Sequence, residues 1–190
     1  LLREVPFGQD GSFSHESIVN RINSDLANDL GNLAQRVLSM INKNCGAVVP
    51  QHGDLEPADQ ALLDSAAALL PAVRRIIDTD LAFHNALAEI WRVVGDANRY
   101  VDVQAPWELK ENDPDRMATV LYVLAETVRR LAILVQPYVP QSASAMLDQL
   151  VVAAGDRSFA ALDEDKRLKP GTPLPKPDGV FPRFVDEVVP

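Results

Sequence analysis

The 190-residue chain is poor in cysteine and in positive charge. Its one cysteine, Cys45, excludes an internal disulfide and fits the reducing cytoplasm, which is the expected location. Lysine and arginine number 18 against 27 aspartates and glutamates, a net charge of −9. That balance excludes a protein that grips nucleic acid by blanket phosphate neutralisation. It leaves open one that reads a few bases with a few side chains. No apolar run reaches the roughly 18–20 residues of a membrane span, so no membrane partner is expected, and no secretory leader opens the chain. An initiator methionine is lacking too, and Leu1-Leu-Arg-Glu-Val-Pro starts in mid-pattern. The chain is expected to be a fragment of something longer.

Catalytic chemistry is equally scarce. His15, His52 and His84 are dispersed, and none has the His-Glu-x-x-His or Glu-x-x-His spacing that would seat a metal. There is no Gly-x-Ser-x-Gly elbow, no phosphate loop and no dinucleotide fingerprint. Asp54, Glu56 and Asp59 read as complements to a helix N-terminus, and Cys45 as a structural thiol. No catalytic residue, metal or cofactor is expected in this segment.

What the sequence does carry is helical periodicity. Residues 1–7 suggest a terminal strand or connector, and Gly8 to Ser12 a turn. Ser14 is placed as an N-cap, with Glu16 in the first turn. Ile18, Ile22, Leu26, Leu30, Leu33, Val37 and Ile41 then step by three or four, one sustained amphipathic helix that Gly31 and Asn28 could bend. A second helix starts near Pro57, and Pro71 should kink or restart it. Asp78 to Asp80 separates it from a third over about 80–104, whose stripe is Leu87, Ile90, Trp91, Val94 and Val101. Pro106 stops that helix, which leaves Trp107 just beyond its end. A fourth helix has Asp113 as cap and Pro114 at its first position, and Ser142 to Val152 makes a shorter fifth. Beyond Gly155 comes a Pro-rich extended arm that Phe181 and Phe184 could anchor.

This pattern predicts an all-α fold, an antiparallel α-helix bundle. Its expected organisation is a connector over 1–13, the bundle over 14–155 and the extended arm over 156–190.

Two features point to a binding surface. Trp107 is either a plug under a loop or a flat ring offered to a partner. Asn28, Asn32 and Arg36 stand at i, i+4 and i+8, a row along the edge of the apolar stripe. Such a row is either a solvated helix face or a set of groups for base edges, with Trp107 supplying a stacking plane.

The stretches Val19 to Arg36, Asp96-Ala-Asn-Arg-Tyr-Val-Asp-Val-Gln-Ala-Pro-Trp107 and Pro173 to Arg183 resemble the C-terminal portion of the methionyl-tRNA synthetases, a class I family. The resemblance implies an anticodon-binding helix bundle. In it Trp107 stacks on the first anticodon base, a cytosine, Asn32 and Arg36 are polar anticodon contacts, and Pro106 fixes Trp107. It implies a parent methionine–tRNA ligase that uses ATP with Mg and methionine. The family's catalytic motifs and zinc-bearing insertion would then lie upstream of Leu1, and this segment would be inactive alone. The implied partners are the anticodon loop of methionine tRNA and the enzyme's own catalytic domain, with a monomer as the expected state. Arg74, Arg75, Arg92, Arg99, Arg129 and Arg130 are candidate phosphate contacts. The competing reading is a helical protein-interaction domain with a Pro-rich arm and no RNA role.

Overall fold

In the computed structural model, residues 2–11 and 14–185 are described. The chain winds around one helix, α7 (Pro114–Val135), which is buried on every side from Thr119 to Val135. A segment reading Val-Leu-Tyr-Val-Leu-Ala with further leucines and valines is apolar nearly all round, its Glu126, Arg129 and Arg130 pairing with one another, and such a helix belongs at the centre. Against it pack α2 (Asn32–Asn44), α3 (Pro57–Ala67), α5 (Phe83–Gln104), α6 (Pro106–Asn112) and α8 (Pro140–Gln149). The remaining helices are α1 (His15–Arg21) and α4 (Leu69–Asp80), the latter packed on α5. The bundle expected from periodicity is the observed fold, with α7 at its centre.

Sequence punctuation acts largely as physics requires. The Ser14 hydroxyl accepts from the Ser17 N–H, and the Asp113 carboxylate from the Arg116 N–H. Glu56 and Asp59 form a reciprocal capping box ahead of α3. Pro71 restarts the helix, with Ala68 between α3 and α4.

Other expectations are corrected. Residues 2–11 form turns and no strand, and Ser12 of the expected turn lies outside the described residues. Asp78 to Asp80 is the last turn of α4, closed by Leu81 in the left-handed region at φ 49°. The fifth predicted helix begins two residues earlier and ends three earlier, as α8. The long first helix is continuous, but from Ile22 to Gly31 it widens to i→i+5 hydrogen bonding. The spacing explains why. Ile18, Ile22, Leu26 and Leu30 advance by four each time, and on a 3.6-residue helix each such step overshoots the axis by about 40°. A wider turn reduces that drift, and of the row Leu30 is the residue that reaches the core.

Past α8 the chain takes three short 3₁₀ turns and then runs extended. Its carbonyls and amides pair with the loop after α2: Val49 N–H donates to Thr172 O and Leu174 N–H to Ala47 O. Two side-chain amides then hold it by the backbone. Gln149 exchanges both hydrogen bonds with Asp178 at 2.8 and 3.0 Å. Asn23 does the same with Phe184, at the same two distances. Phe181 packs on the core beside Gly31, so the arm lies back over the first helix.

Candidate nucleic-acid interface

The corner between α5 and α7 presents Trp107. Helix α5 ends at Gln104, and Ala105 takes a left-handed conformation, φ 42° and ψ 58°. That region costs an L-residue roughly 1–2 kcal/mol, and it turns the chain out of α5 in a single step. Pro106 is buried at the first position of α6, where its missing N–H is harmless. Trp107 therefore sits in the first turn of a short helix, not in a loop beyond a helix end. The residue is 48% exposed.

Of the predicted row, Arg36 reaches Trp107. Its guanidinium carbon lies 5.8 Å from the ring centroid, and its Nη2 donates to an Asp102 carboxylate oxygen at 2.9 Å. A cation near an aromatic face is drawn to the ring quadrupole. Asp102, exposed in the last turn of α5, steers the guanidinium by charge. Asn32, one turn earlier on α2, is exposed and makes no side-chain hydrogen bond among the described residues. It lines a cleft of about 500 Å³ between the first helix and the arm, with Asn28, Gln35, Phe181 and Arg183. Asn28 is drawn the other way, since its carbonyl accepts from Arg183. The structure thus brings Arg36 to Trp107, opens Asn32 on the adjoining cleft, and gives Asn28 to the arm.

Behind this corner lies a buried polar network that the sequence did not disclose. Asp59, read as a helix-end complement, is fully buried. It accepts from the Tyr100 hydroxyl and from both terminal nitrogens of Arg116, the Nη2 contact being 2.8 Å. The same Nη2 donates to Gln104 Oε1 at 2.7 Å. Burial alone would push the Asp59 carboxyl up. The hydrogen bonds from Arg116, Tyr100 and the Glu56 N–H outweigh it and hold the group below the usual carboxylate range. Burial and the bond to Asp59 push the Tyr100 hydroxyl far above its ordinary value.

The arginines offered as phosphate contacts divide. Arg129 and Arg130 are buried and both bond Glu126, so neither faces a solvent-borne partner. Glu126 also accepts from the Leu168 N–H, which ties the tail to α7. Arg92 is held by Glu89 and Asp96, and Arg99 by Asp96. Arg74 and Arg75 are exposed on α4. Among the described residues no group of three or more His, Cys, Asp or Glu could hold a metal ion. No described helix is long and apolar enough to cross a membrane.

Residues 49–189 match the family model described as the anticodon binding domain of methionyl tRNA ligase. Residues 1–38 match the model for class I (M) tRNA synthetases. The methionine–tRNA ligase of Mesorhizobium japonicum is 57% identical over 187 residues, covering 98% of this chain and 36% of that protein. The Brucella suis ligase is 58% identical over 186 residues, with the same two coverages. The crystal structure of apo Mycobacterium tuberculosis methionyl-tRNA synthetase superposes with a TM-score of 0.92 at 54% identity, covering 97% of this chain and 37% of that one. Its complex with methionyl-adenylate gives 0.91 at 55%, covering 96% and 36%. The chain spans little more than a third of the length of these relatives.

Proposed function

The chain belongs to the methionyl-tRNA ligase family, as its anticodon-binding domain, and from that premise we propose that it reads the anticodon of methionine tRNA through Trp107, Arg36 and Asn32. The observation that carries this reading is the half-exposed Trp107 with the Arg36 guanidinium 5.8 Å from its ring centroid. A flat ring stacks an unpaired base whatever its identity. Hydrogen-bonding groups beside it then discriminate, because Arg and Asn present donors, and Asn an acceptor, to the base edge. Pro106, buried at the head of α6, sets the ring in place.

The whole protein, on this reading, joins methionine to its tRNA by way of methionyl-adenylate, the compound held in the Mycobacterium tuberculosis structure. ATP, Mg and methionine would be bound by the remaining two-thirds of the relatives' length. This segment would supply selection and no chemistry. Cytoplasmic action as a monomer completes the reading, the first supported by a lone thiol and the second open to sedimentation.

The test is a fluorescence titration with a methionine anticodon stem-loop, beside one with the first anticodon base changed. Quenching lost on the base change, and lost again in Trp107→Ala, is the expected result. A chain that binds both loops alike, or keeps its discrimination in Trp107→Ala, overturns the reading.

A further inference from the structure

We infer that Gln104 and Arg116 are positioning residues for Trp107: together they clamp α6 at both of its ends and so fix the ring that is offered to the base. The inference rests on the anticodon-reading role proposed above. Its basis is a closed circuit of contacts. Helix α6 hangs between two joints, Ala105 before it and Asp113 after it. At the far joint the Asp113 carboxylate accepts the Arg116 N–H at 3.0 Å. At the near joint the Arg116 guanidinium donates to the Gln104 carbonyl at 2.7 Å. One residue thus holds the chain on either side of α6.

The clamp is itself anchored. Arg116 is bound through two nitrogens to the fully buried Asp59 of α3, and Asp59 is held in turn by Tyr100 of α5. Two parallel N–H···O contacts define the plane of a guanidinium, so Nη2 has little freedom when it meets Gln104. Between Gln104 and Pro106 there is only Ala105. The first turn of α6 closes on the Ala105 carbonyl, which accepts from the Glu108 N–H at 2.8 Å. Trp107 lies within that turn. Loss of the Gln104 side-chain carbonyl would leave the near joint held only by the packing of Pro106 and Leu109 against the core and would widen the motion of the ring about Ala105.

Gln104 is only half-buried, so its substitution tests the clamp without emptying the core. The experiment compares Gln104→Ala, Gln104→Glu and Trp107→Ala in a Trp91→Phe background, where Trp107 is the one indole. Three quantities are read: the thermal midpoint, the steady-state anisotropy of Trp107, and the affinity ratio between the methionine anticodon stem-loop and the loop with its first base changed. Gln104→Ala should lower the anisotropy and cut the ratio about tenfold, with a midpoint close to the parent's. Gln104→Glu keeps an acceptor for Arg116 and should restore both. Its added charge weakens both loops alike and cancels in the ratio. If Gln104→Ala leaves anisotropy and ratio unchanged while Trp107→Ala abolishes the ratio, the clamp is wrong and the anticodon reading stands. If Trp107→Ala keeps the ratio, the reading itself falls and the inference with it.

Discussion

Arg36 and Trp107 come from helices 71 positions apart in sequence, yet the guanidinium carbon of one lies 5.8 Å from the ring centroid of the other. The same guanidinium spends a hydrogen bond on Asp102, so its place over the ring is fixed by two partners from the α5–α6 corner. This arrangement supports reading with few groups and little positive charge.

Trp107→Ala should weaken stem-loop binding by about 1–3 kcal/mol, the worth of one base–aromatic stack. The fold should barely notice, because about half of the residue is already in water. Titration together with thermal unfolding checks both halves. A large drop in midpoint would instead mark Trp107 as a packing residue.

Arg36→Lys keeps the charge but not the planar fork that can lie near a ring and donate to a base edge at once. Discrimination at the first anticodon base should fall by roughly 1–3 kcal/mol. The salt dependence of binding should stay as it was, since the number of cations is unchanged. Discrimination left intact in Arg36→Lys, with both loops bound to the same extent as before, would make Arg36 a phosphate contact instead.

Asp59 gives the fold a defined acid limit. Its folded-state carboxyl lies below the ordinary value near 3.8, so its contribution is complete above that value and is lost as pH falls through the depressed one. Asp59→Asn leaves the mostly buried Arg116 with only the exposed Glu56 carboxylate, 3.3 Å away, as a counter-charge, and should cost about 3 kcal/mol at neutral pH, the low end for breaking a buried pair. The gap between wild type and variant should narrow on acidification below about pH 4. Urea unfolding of both proteins between pH 7 and pH 2 measures it, and a gap independent of pH would refute the assignment.

Gly31→Ala should loosen the arm. A Cβ there would sit 2.8 Å from the Leu26 carbonyl oxygen and 3.1 Å from Phe181. Neither backbone nor ring can yield cheaply, so a loss of about 1–3 kcal/mol is expected. Faster tryptic cleavage after Arg183, with a midpoint several degrees lower, would register it.

Much of this fold is legible in the chain because its signals are local. Ser14, Pro57, Pro71 and the Asp113–Pro114 pair act within a turn or two of themselves, since proline suits the first turn of a helix and is barred from its interior. The apolar steps of four also carried the widened segment, but a list of three- and four-residue spacings does not separate one wide helix from a regular one. The short helix α6 was hidden because Pro106 both ends one helix and begins the next, and only the left-handed Ala105 reveals which joint lies between them. Burial of charge was the least legible. Glu126 with Arg129 and Arg130 has the spacing of an ordinary surface pair, and Asp59 meets Arg116 across 57 residues. Of the binding row, geometry joined Arg36 to Trp107 and diverted Asn28 to Arg183, and no spacing rule distinguishes the two.

The amide clasp between Asn23 and Phe184 spans 161 residues. During synthesis at about 5–20 residues per second, its first half waits on the order of ten to thirty seconds for its second. Through that interval the widened turns of the first helix, with Gly31 among them, lack the ring and the amides that later cover them. The face that carries Asn28 and Asn32 is thus made well before the arm that walls its cleft.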